Sequence, residues 1–453
     1  MEGDPRRVIL FPLPFQGHMS PMIQLANILH SRGFAISVIH HEYNSPDPCK
    51  YPHLSFHLIP GGLSQYQADK SDPLRLFQLL NIDCIGPIRD CLGKLLSTHD
   101  DVACIITDAN MSSSQAIAED IGIPRIVLRT SSACSFLTFA TLPLLREKGF
   151  YSHDLDSRRE DPVPELPPLK VKDIQAMQFR SLDITLMVLS NIIEGAKTAS
   201  GLIFNTFHDL EEPNLANLGE HFRLPTFLIG PFHKFFSAAS SSLLAQDRNS
   251  VSWLDTQETG CVLYVSFGSG ATMNEKSAME VAWGLANSEQ PFLWVVRPGL
   301  VQGSEWLEWL PDEFEEVISQ RGCIVKWAPQ QEVLSHPAVG GFWTHSGWNS
   351  TLESICEGVP MICSSFSGDQ HVNSRYVNDA WRLGIKLECG FEREEIESVI
   401  RMIMLDRDQG QEIRERALCW KEKIDVSFKT DGFSSQPLNA LSDLISSIKS
   451  SSA

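Results

Sequence analysis

The sequence is short of the features that nucleic-acid and lipid-surface proteins rely on. Lysine and arginine total 37 against 56 aspartates and glutamates, a formal charge of 37 − 56 = −19, which repels phosphate backbones and anionic membranes. Neither nucleic acid nor a membrane is an expected partner. Long apolar runs are missing too: no window approaches the roughly 18 consecutive apolar residues that span a bilayer. The polar stretch Met1 to Arg7 leads into an apolar run that proline soon breaks, so no signal peptide is expected. The 11 cysteines, from Cys49 to Cys419, form no C-x-x-C pair and no regular framework, which argues against zinc ribbons and dithiol redox centres. Their odd number fits reduced thiols in a cytoplasmic protein.

What is present is a globular composition, 43% hydrophobic and 21% charged over 453 residues. That length is too great for one hydrophobic core, since domains usually run to about 100–200 residues. The chain opens with an apolar run, Val8 to Phe11, a proline-rich loop, and a helical pattern (Met22-Ile23, Leu25-Ala26, Ile28-Leu29) closed by Gly33. Ala35 to Ile39 then completes a βαβ unit, which implies a parallel sheet covered by helices. Val102 to Asp108 is a further buried strand ending in a carboxylate, and Ile126 to Leu128 follows after another helix pattern. The charged, proline-rich stretch from Asp154 to Pro168 suggests an inserted surface loop. A Ser/Ala cluster at 237–242 marks a linker, after which Val262 to Phe267, a helix near Met279 to Leu285, and Phe292 to Val296 restart the alternation. Two doubly wound α/β domains are therefore expected, with ligands held beyond the C-terminal ends of their strands.

One segment carries an evident chemistry. The strand Val339 to Thr344 breaks at His345-Ser346-Gly347-Trp348-Asn349 and enters a helix, Ser350 to Glu357, closed by Gly358. A helix N-terminus delivered by such a turn attracts a diphosphate, with His345, Ser346 and Ser350 as further donors and no lysine. Asn349 and Glu353, four residues apart, share a helical face, so Glu353 can reach a ribose hydroxyl while Asn349 stays near phosphate. Taken alone, the segment also reads as an ordinary capped helix.

From Trp327-Ala328-Pro329-Gln330 through Asp369-Gln370, the chain resembles the plant secondary product glycosyltransferase box, the UDP-sugar signature of plant UDP-dependent glycosyltransferases. The landmarks His345, Gly347, Trp348, Asn349, Ser350, Glu353 and Gly358-Val359-Pro360 all match. Leu169 to Asp173, Ser240 to Leu244, Phe292 to Gly299 and Val325 to Trp327 look like the subgroup that contains the steviol glycoside glucosyltransferases. The resemblance implies a glycosyltransferase B fold, two Rossmann-like doubly wound parallel-sheet domains facing across a cleft. It divides the chain into an acceptor-binding domain (1–235), a linker (236–250), a UDP-sugar domain (251–430) and a C-terminal helix returning to the first domain (431–453). It also implies a monomer, UDP-glucose as donor and no metal cofactor.

Carried over by position, the resemblance stacks Trp327 on uracil, with Ala328 and Gln330 beside base and ribose and Glu353 on the ribose hydroxyls. His345, Asn349, Ser350 and Ser269 would contact the diphosphate, and Gly347 belongs to the same turn. Trp348, Asp369 and Gln370 would hold the sugar; Gln370 together with Trp348 usually accompanies glucose. One departure is Ser365, where most relatives have proline, which leaves the loop before Asp369 less constrained. Gly368 puts no side chain beside the sugar site and widens the acceptor entrance.

Inverting transfer needs a base for the acceptor hydroxyl. His18, after the first strand, is the candidate, with Asp108 at the end of a parallel strand orienting its ring as the carboxylate does in serine hydrolases; the family uses such a pair at the matching positions. Thr130 would lie near the sugar 6-hydroxyl. Arg129 either favours a carboxylate-bearing acceptor or is a solvent-facing arginine. Phe15, Ile82, Phe136 and Phe366 are expected acceptor walls, core packing being their other role. The function expected is glucosylation of a terpenoid, flavonoid, phenolic or existing glycoside. A UDP-sugar epimerase or hydrolase, or a non-catalytic sugar-nucleotide binding protein, stays open as an alternative.

Overall fold

Among the described residues, thirteen strands carry the architecture. The first seven are β1 (Arg7–Phe11), β2 (Ala35–His41), β3 (Ser55–Ile59), β4 (Val102–Asp108), β5 (Arg125–Arg129), β6 (Gly201–Phe204) and β7 (Thr226–Leu228). The rest are β8 (Val262–Ser266), β9 (Phe292–Val295), β10 (Gly322–Val325), β11 (Val339–Thr344), β12 (Met361–Cys363) and β13 (Gly384–Lys386). The computed structural model describes residues 5–60, 79–82, 84–99, 101–151, 156–177, 182–236, 243–388, 390–429 and 435–448. The Ser/Ala cluster at 237–242, part of the expected linker, lies outside these, as do Ser240 to Ser242 of the family-like stretch and Cys389.

The strands form two parallel sheets, one of seven strands in the order β3-β2-β1-β4-β5-β6-β7 and one of six in the order β10-β9-β8-β11-β12-β13. Parallel strands are covered on both faces, and the residues alternate accordingly. Val8 and Leu10 join one core cluster with Val38 and Ile106, whereas Ile9 and Phe11 join another with Ile39 and Ile105. β4 is buried along its whole length, polar Thr107 and Asp108 included. In each sheet the strand order reverses once, at β1/β4 and at β8/β11. At such a reversal the connecting helices leave on opposite faces, and the loops after the two strands part to leave a crevice.

By its internal contacts the chain divides into two units, one of Met1–Ala140, Asp183–Leu243 and Asp431–Ala453, the other of Thr141–Leu182 and Leu244–Thr430. The sequence reading kept residues 141–182 within a continuous first domain. In the structure they group with the second unit, because Asp173 is buried against Arg375 there. The helix Ser435–Ser447 puts Leu438, Leu441 and Ile445 into a core cluster of the first unit, and Arg6 Nη1 donates to the Ile445 carbonyl at 2.9 Å. Among the described residues no helix is long and apolar enough to cross a membrane.

A buried carboxyl fixes the loop that leaves β5. Glu211 accepts from the amides of Ala133 (2.8 Å) and Cys134 (3.0 Å), which open the helix Ala133–Glu147, and from the Thr206 hydroxyl (3.2 Å). Burial pushes its carboxyl up to about 7, against the opposing pull of those amide hydrogen bonds. Between the ordinary carboxylate range and about 7 the folded state therefore holds a proton that the unfolded chain has released, so the stability it contributes falls as pH rises. Glu211→Ala should cost about 1–3 kcal/mol by leaving amides unpaired. The gap to wild type in urea unfolding should be larger near pH 5 than near pH 8; a gap that widens with pH would make the ionised carboxylate the native cap.

Candidate functional site

The reversal at β1/β4 brings His18 and Asp108 together. His18 sits in the first turn of the helix Gln16–Ser31 that leaves β1, and Asp108 ends β4. His18 Nδ1 lies 2.7 Å from Asp108 Oδ2, with the Asp108 side chain fully buried and that of His18 23% exposed. A carboxylate can only accept, so Nδ1 carries the proton and Nε2 keeps a lone pair. Asp108 Oδ1 is held in turn by the Asn110 amide at 2.8 Å. Thr130, just past β5, places its hydroxyl 2.9 Å from the same Nδ1. The three form one buried-to-surface chain whose outer end is a proton acceptor.

The reversal at β8/β11 builds the second constellation. β8 runs into Phe267-Gly268-Ser269 and β11 into His345-Ser346-Gly347. Gly268 has φ +71°, and a Cβ there would lie 2.6 Å from the His345 ring; a Cβ on Gly347 would lie 2.4 Å from its Nε2. Only glycines let the imidazole lie between the two turns. Burial, reinforced by the nearby Arg297 charge, lowers His345 to about 4, so it stays a neutral ring. Its Nδ1 is buried with no hydrogen-bond partner among the described residues. Ser346 itself has φ +63°, a strained conformation that recurs at ligand-binding turns. The helix that follows starts at Trp348, two residues earlier than the sequence suggested, with Gly347 as its N-cap and no side-chain cap bond. Trp348 and Asn349 are thus in its first turn, and its opening amides point outward from the N-terminus. Ser269 is exposed beside this turn.

Along the same helix Glu353 is preset by two amides. Its Oε2 accepts from Gln330 Nε2 at 2.7 Å and its Oε1 from Gln331 Nε2 at 2.8 Å. Burial raises its carboxyl, while those amide bonds pull it back. Gln330 Nε2 also reaches Ser350 Oγ at 2.9 Å, so Gln330, Ser350 and Glu353 form one patch. Trp327 is half-buried and its carbonyl accepts from the Asp247 amide at 2.8 Å; Ala328 is buried.

At the far end, Gln370 Oε1 accepts from the amides of Phe366 (2.8 Å) and Ser367 (3.1 Å), which turns its NH2 away as the remaining donor. Asp369 Oδ2 is 3.3 Å from Asn373 Nδ2, which also donates to the Ser346 carbonyl at 3.0 Å. One asparagine therefore couples Asp369 to the turn that precedes the helix Trp348–Glu357. Ser365, expected to loosen this loop, instead donates to the Gln370 carbonyl at 2.9 Å and lies 2.8 Å from Ser374 Oγ. A Cβ on Gly368 would meet nothing within 4 Å. Trp348 is only 3% exposed, its ring 6.1 Å from that of Trp381.

The acceptor-wall expectations divide. Phe15 lies edge-on to His18 and Tyr43 with centroids 6.4 and 6.3 Å away, and Ile82 is 64% exposed. Phe136 is fully buried and stacked on Phe222 at 4.8 Å, so core packing is its role here. Phe366 packs beside Phe267 and Phe391 in the second unit's core. Arg129 is not solvent-facing: it is buried over the rings of Phe136 and Phe139, donating to Ser131 Oγ (2.8 Å) and Asn110 Oδ1 (2.9 Å). It holds the two loops beside His18 together. Sequence reasoning gave no role to Arg297, Gln331 or Asn373: the first lies in the family-like stretch Phe292 to Gly299, the second inside the box and the third just past its end. Arg297 Nε donates to the Gly268 carbonyl at 3.1 Å. Among the described residues no group of three or more His, Cys, Asp or Glu is placed to hold a metal ion.

Comparison with known proteins gives this geometry relatives. The family model described as UDP-glucoronosyl and UDP-glucosyl transferase matches residues 244–413. The chain is 47% identical to UDP-glycosyltransferase 76B1 of Arabidopsis thaliana over 96% of each chain. It is 43% identical to UDP-glycosyltransferase 76G1 of Stevia rebaudiana over 98% of this chain and 97% of that one. Among solved structures, UGT2 of Phytolacca americana complexed with UDP-2fluoro-glucose and pterostilbene aligns with a TM-score of 0.80 at 29% identity, covering 98% of this chain and 100% of that one.

The packing of His345 yields a direct test. In Gly347→Ala the new methyl must displace the ring. The turn should then lose a hydrogen bond to a charged ligand and bind UDP about 10-fold more weakly by calorimetry. Unchanged affinity in a folded variant would remove His345 from the site.

Proposed function

Because the chain belongs to the plant UDP-dependent glycosyltransferases and shares their glycosyltransferase B fold of two Rossmann-like domains, we propose that it is an inverting glucosyltransferase that uses UDP-glucose and His18 as its general base. The acceptor is a small, largely apolar plant metabolite (a terpenoid, flavonoid or phenolic) or an existing glycoside of one. The observation that carries the base assignment is the 2.7 Å contact between His18 Nδ1 and the buried Asp108 carboxylate. Binding a sugar nucleotide needs no such pair; removing a proton does.

In the proposed reaction the acceptor hydroxyl approaches His18 Nε2. Its proton moves to that nitrogen as its oxygen bonds to the anomeric carbon, and the bond from that carbon to the diphosphate oxygen breaks with its electron pair leaving on UDP. Attack opposite the leaving group converts an α-linked donor into a β-glucoside. Asp108 stabilises the imidazolium that forms, the role of the carboxylate in hydrolase triads. The negative charge gathering on the diphosphate meets the helix N-terminus at Trp348 and the neutral donors His345, Ser269 and Ser350, preoriented before reaction. Support for glucose comes from Asp369 and Gln370: a carboxylate and an amide each engage adjacent hydroxyls, a geometry sensitive to epimers. Phe15 and Ile82 offer apolar surface to the acceptor, and UGT2 of Phytolacca americana, complexed with pterostilbene, binds a molecule of that character.

Incubation with UDP-glucose and an acceptor panel, read by mass spectrometry, should give adducts of glucose mass. Loss of UDP-glucose without an acceptor would indicate a hydrolase or epimerase instead, and binding without turnover a non-catalytic protein. His18→Ala should lower transfer by about 10²–10⁴-fold and leave UDP affinity within about twofold. Turnover at the wild-type rate in that variant would sink the base assignment.

A further inference from the structure

The stretch Leu169 to Asp173, family-like in sequence, has no place in the reaction as described so far. It lies in the segment 141–182 that groups with the second unit. Asp173 is 1% exposed and Arg375 is 1% exposed. Arg375 addresses Asp173 with two nitrogens, Nε to Oδ2 at 2.8 Å and Nη2 to Oδ1 at 3.2 Å, and Lys386 pairs with the same carboxylate. Arg375 also meets Glu388 at 2.8 Å and Asp379 at 3.2 Å, and Lys172 closes the ring on Glu388 at 2.9 Å. The Lys170 amide donates to Asp173 Oδ2 at 3.0 Å, which fixes the carboxylate from its own side. Burial pushes the Asp173 carboxyl up, but Arg375 and Lys386 outweigh it and hold the group below its ordinary range.

What this network holds is informative. Arg375 is the last residue of the short helix Gln370–Arg375, whose N-cap is Asp369. The two side chains proposed to grip the sugar thus stand at one end of a helix whose other end is pinned by a buried bidentate pair. Asn373, between them, donates to the carbonyl of Ser346 in the phosphate turn at 3.0 Å. A second tie links the same pieces: the Tyr376 hydroxyl donates to the Pro167 carbonyl at 3.1 Å. The helix passes directly into a π-helical turn, Tyr376–Ala380, but so short a helical segment cannot hold its place by its own hydrogen bonds, since isolated helices shorter than about 12–15 residues are marginal. Its orientation must come from these contacts. Burying so many charges is costly unless every one is paired, and simple packing against the segment would have been met by apolar residues.

We propose that Asp173 is a positioning residue for the donor sugar: through Arg375 it sets the angle of the helix that presents Asp369 and Gln370, and so controls discrimination between sugars at the UDP-sugar site. This rests on the reading of the site given above. Asp173 touches no substrate. Its effect belongs to the sugar end of the donor and not to UDP, whose contacts are on the helix Trp348–Glu357 and on Trp327.

The test compares wild type, Asp173→Asn and the double variant Asp173→Leu/Arg375→Met as full chains. Two quantities are read: UDP affinity by calorimetry, and kcat/KM for UDP-glucose relative to UDP-galactose. Asp173→Asn leaves Arg375 and Lys386 without their shared carboxylate and is the variant more exposed to misfolding. The double variant removes both members of the pair and fills the space with apolar atoms, a replacement that buried pairs tolerate. In each folded variant the preference for UDP-glucose should fall at least about 10-fold while UDP affinity stays within about threefold. Restoring charge without the planar fork, in Arg375→Lys, should recover only part of the preference. Wild-type discrimination in the folded double variant overturns the inference, and so does a loss of UDP affinity that matches the loss of UDP-glucose efficiency. A wild type that transfers no sugar at all overturns the functional reading and this inference with it. A wild type that discriminates beside a variant that discriminates equally overturns this inference alone.

Discussion

The polarity of a parallel sheet governs this molecule. All strands of a parallel sheet point one way, crossovers are right-handed almost without exception, and so the loops that follow strands collect at one edge. Where the strand order reverses, two of those loops separate. Here that happens at β1/β4 and at β8/β11. His18 and Asp108 stand at the first reversal, and Gly268 and His345 at the second. Apolar strands alone decide where the polar chemistry can be placed, and each unit offers one such place.

The two sites solve opposite electrostatic problems by neighbouring means. At the first, on the proposed reading, a buried carboxylate orients a histidine that gains a proton; Asp108 accepts from the Asn110 amide and the Thr130 hydroxyl stands by the same ring nitrogen. At the second, on the same reading, a doubly charged group is received by a chain with a formal charge of −19. The acidic surface is no obstacle, because the turn offers a helix N-terminus, a neutral imidazole and hydroxyls in place of a cluster of cations. Keeping His345 neutral is part of that arrangement: burial beside Arg297 lowers it to about 4, so its donor does not depend on the ambient pH.

Much of this was legible in the chain. Strands such as Val8 to Phe11 and Val102 to Asp108 are continuous apolar runs, and buried parallel strands leave no other signature. The box was legible because its residues are close in sequence, from Trp327 to Gln370, and their spacing matches a family signature. The pairing of His18 with Asp108 came from resemblance, since nothing local joins residues 90 positions apart. What stayed hidden was of that same long-range kind. Asp173 and Arg375 are 202 residues apart, and no periodicity announces that a charged residue in a loop-like stretch will be fully buried. The burial of Phe136 and Arg129 was illegible for a related reason: it depends on what covers a strand end, and Phe222 stacks on Phe136 while Phe136 and Phe139 of the next helix lie over Arg129. The first turn of the box helix was placed two residues late because glycine at an N-cap gives no side-chain signal.

The central claim is that a proton leaves the acceptor at His18 while its oxygen displaces UDP from the opposite face of the sugar. The stereochemistry of the product reports this most directly. Proton NMR of the glucoside formed from UDP-α-glucose should show a β anomeric linkage and no α product; an α-linked glucoside would contradict a single displacement driven by His18.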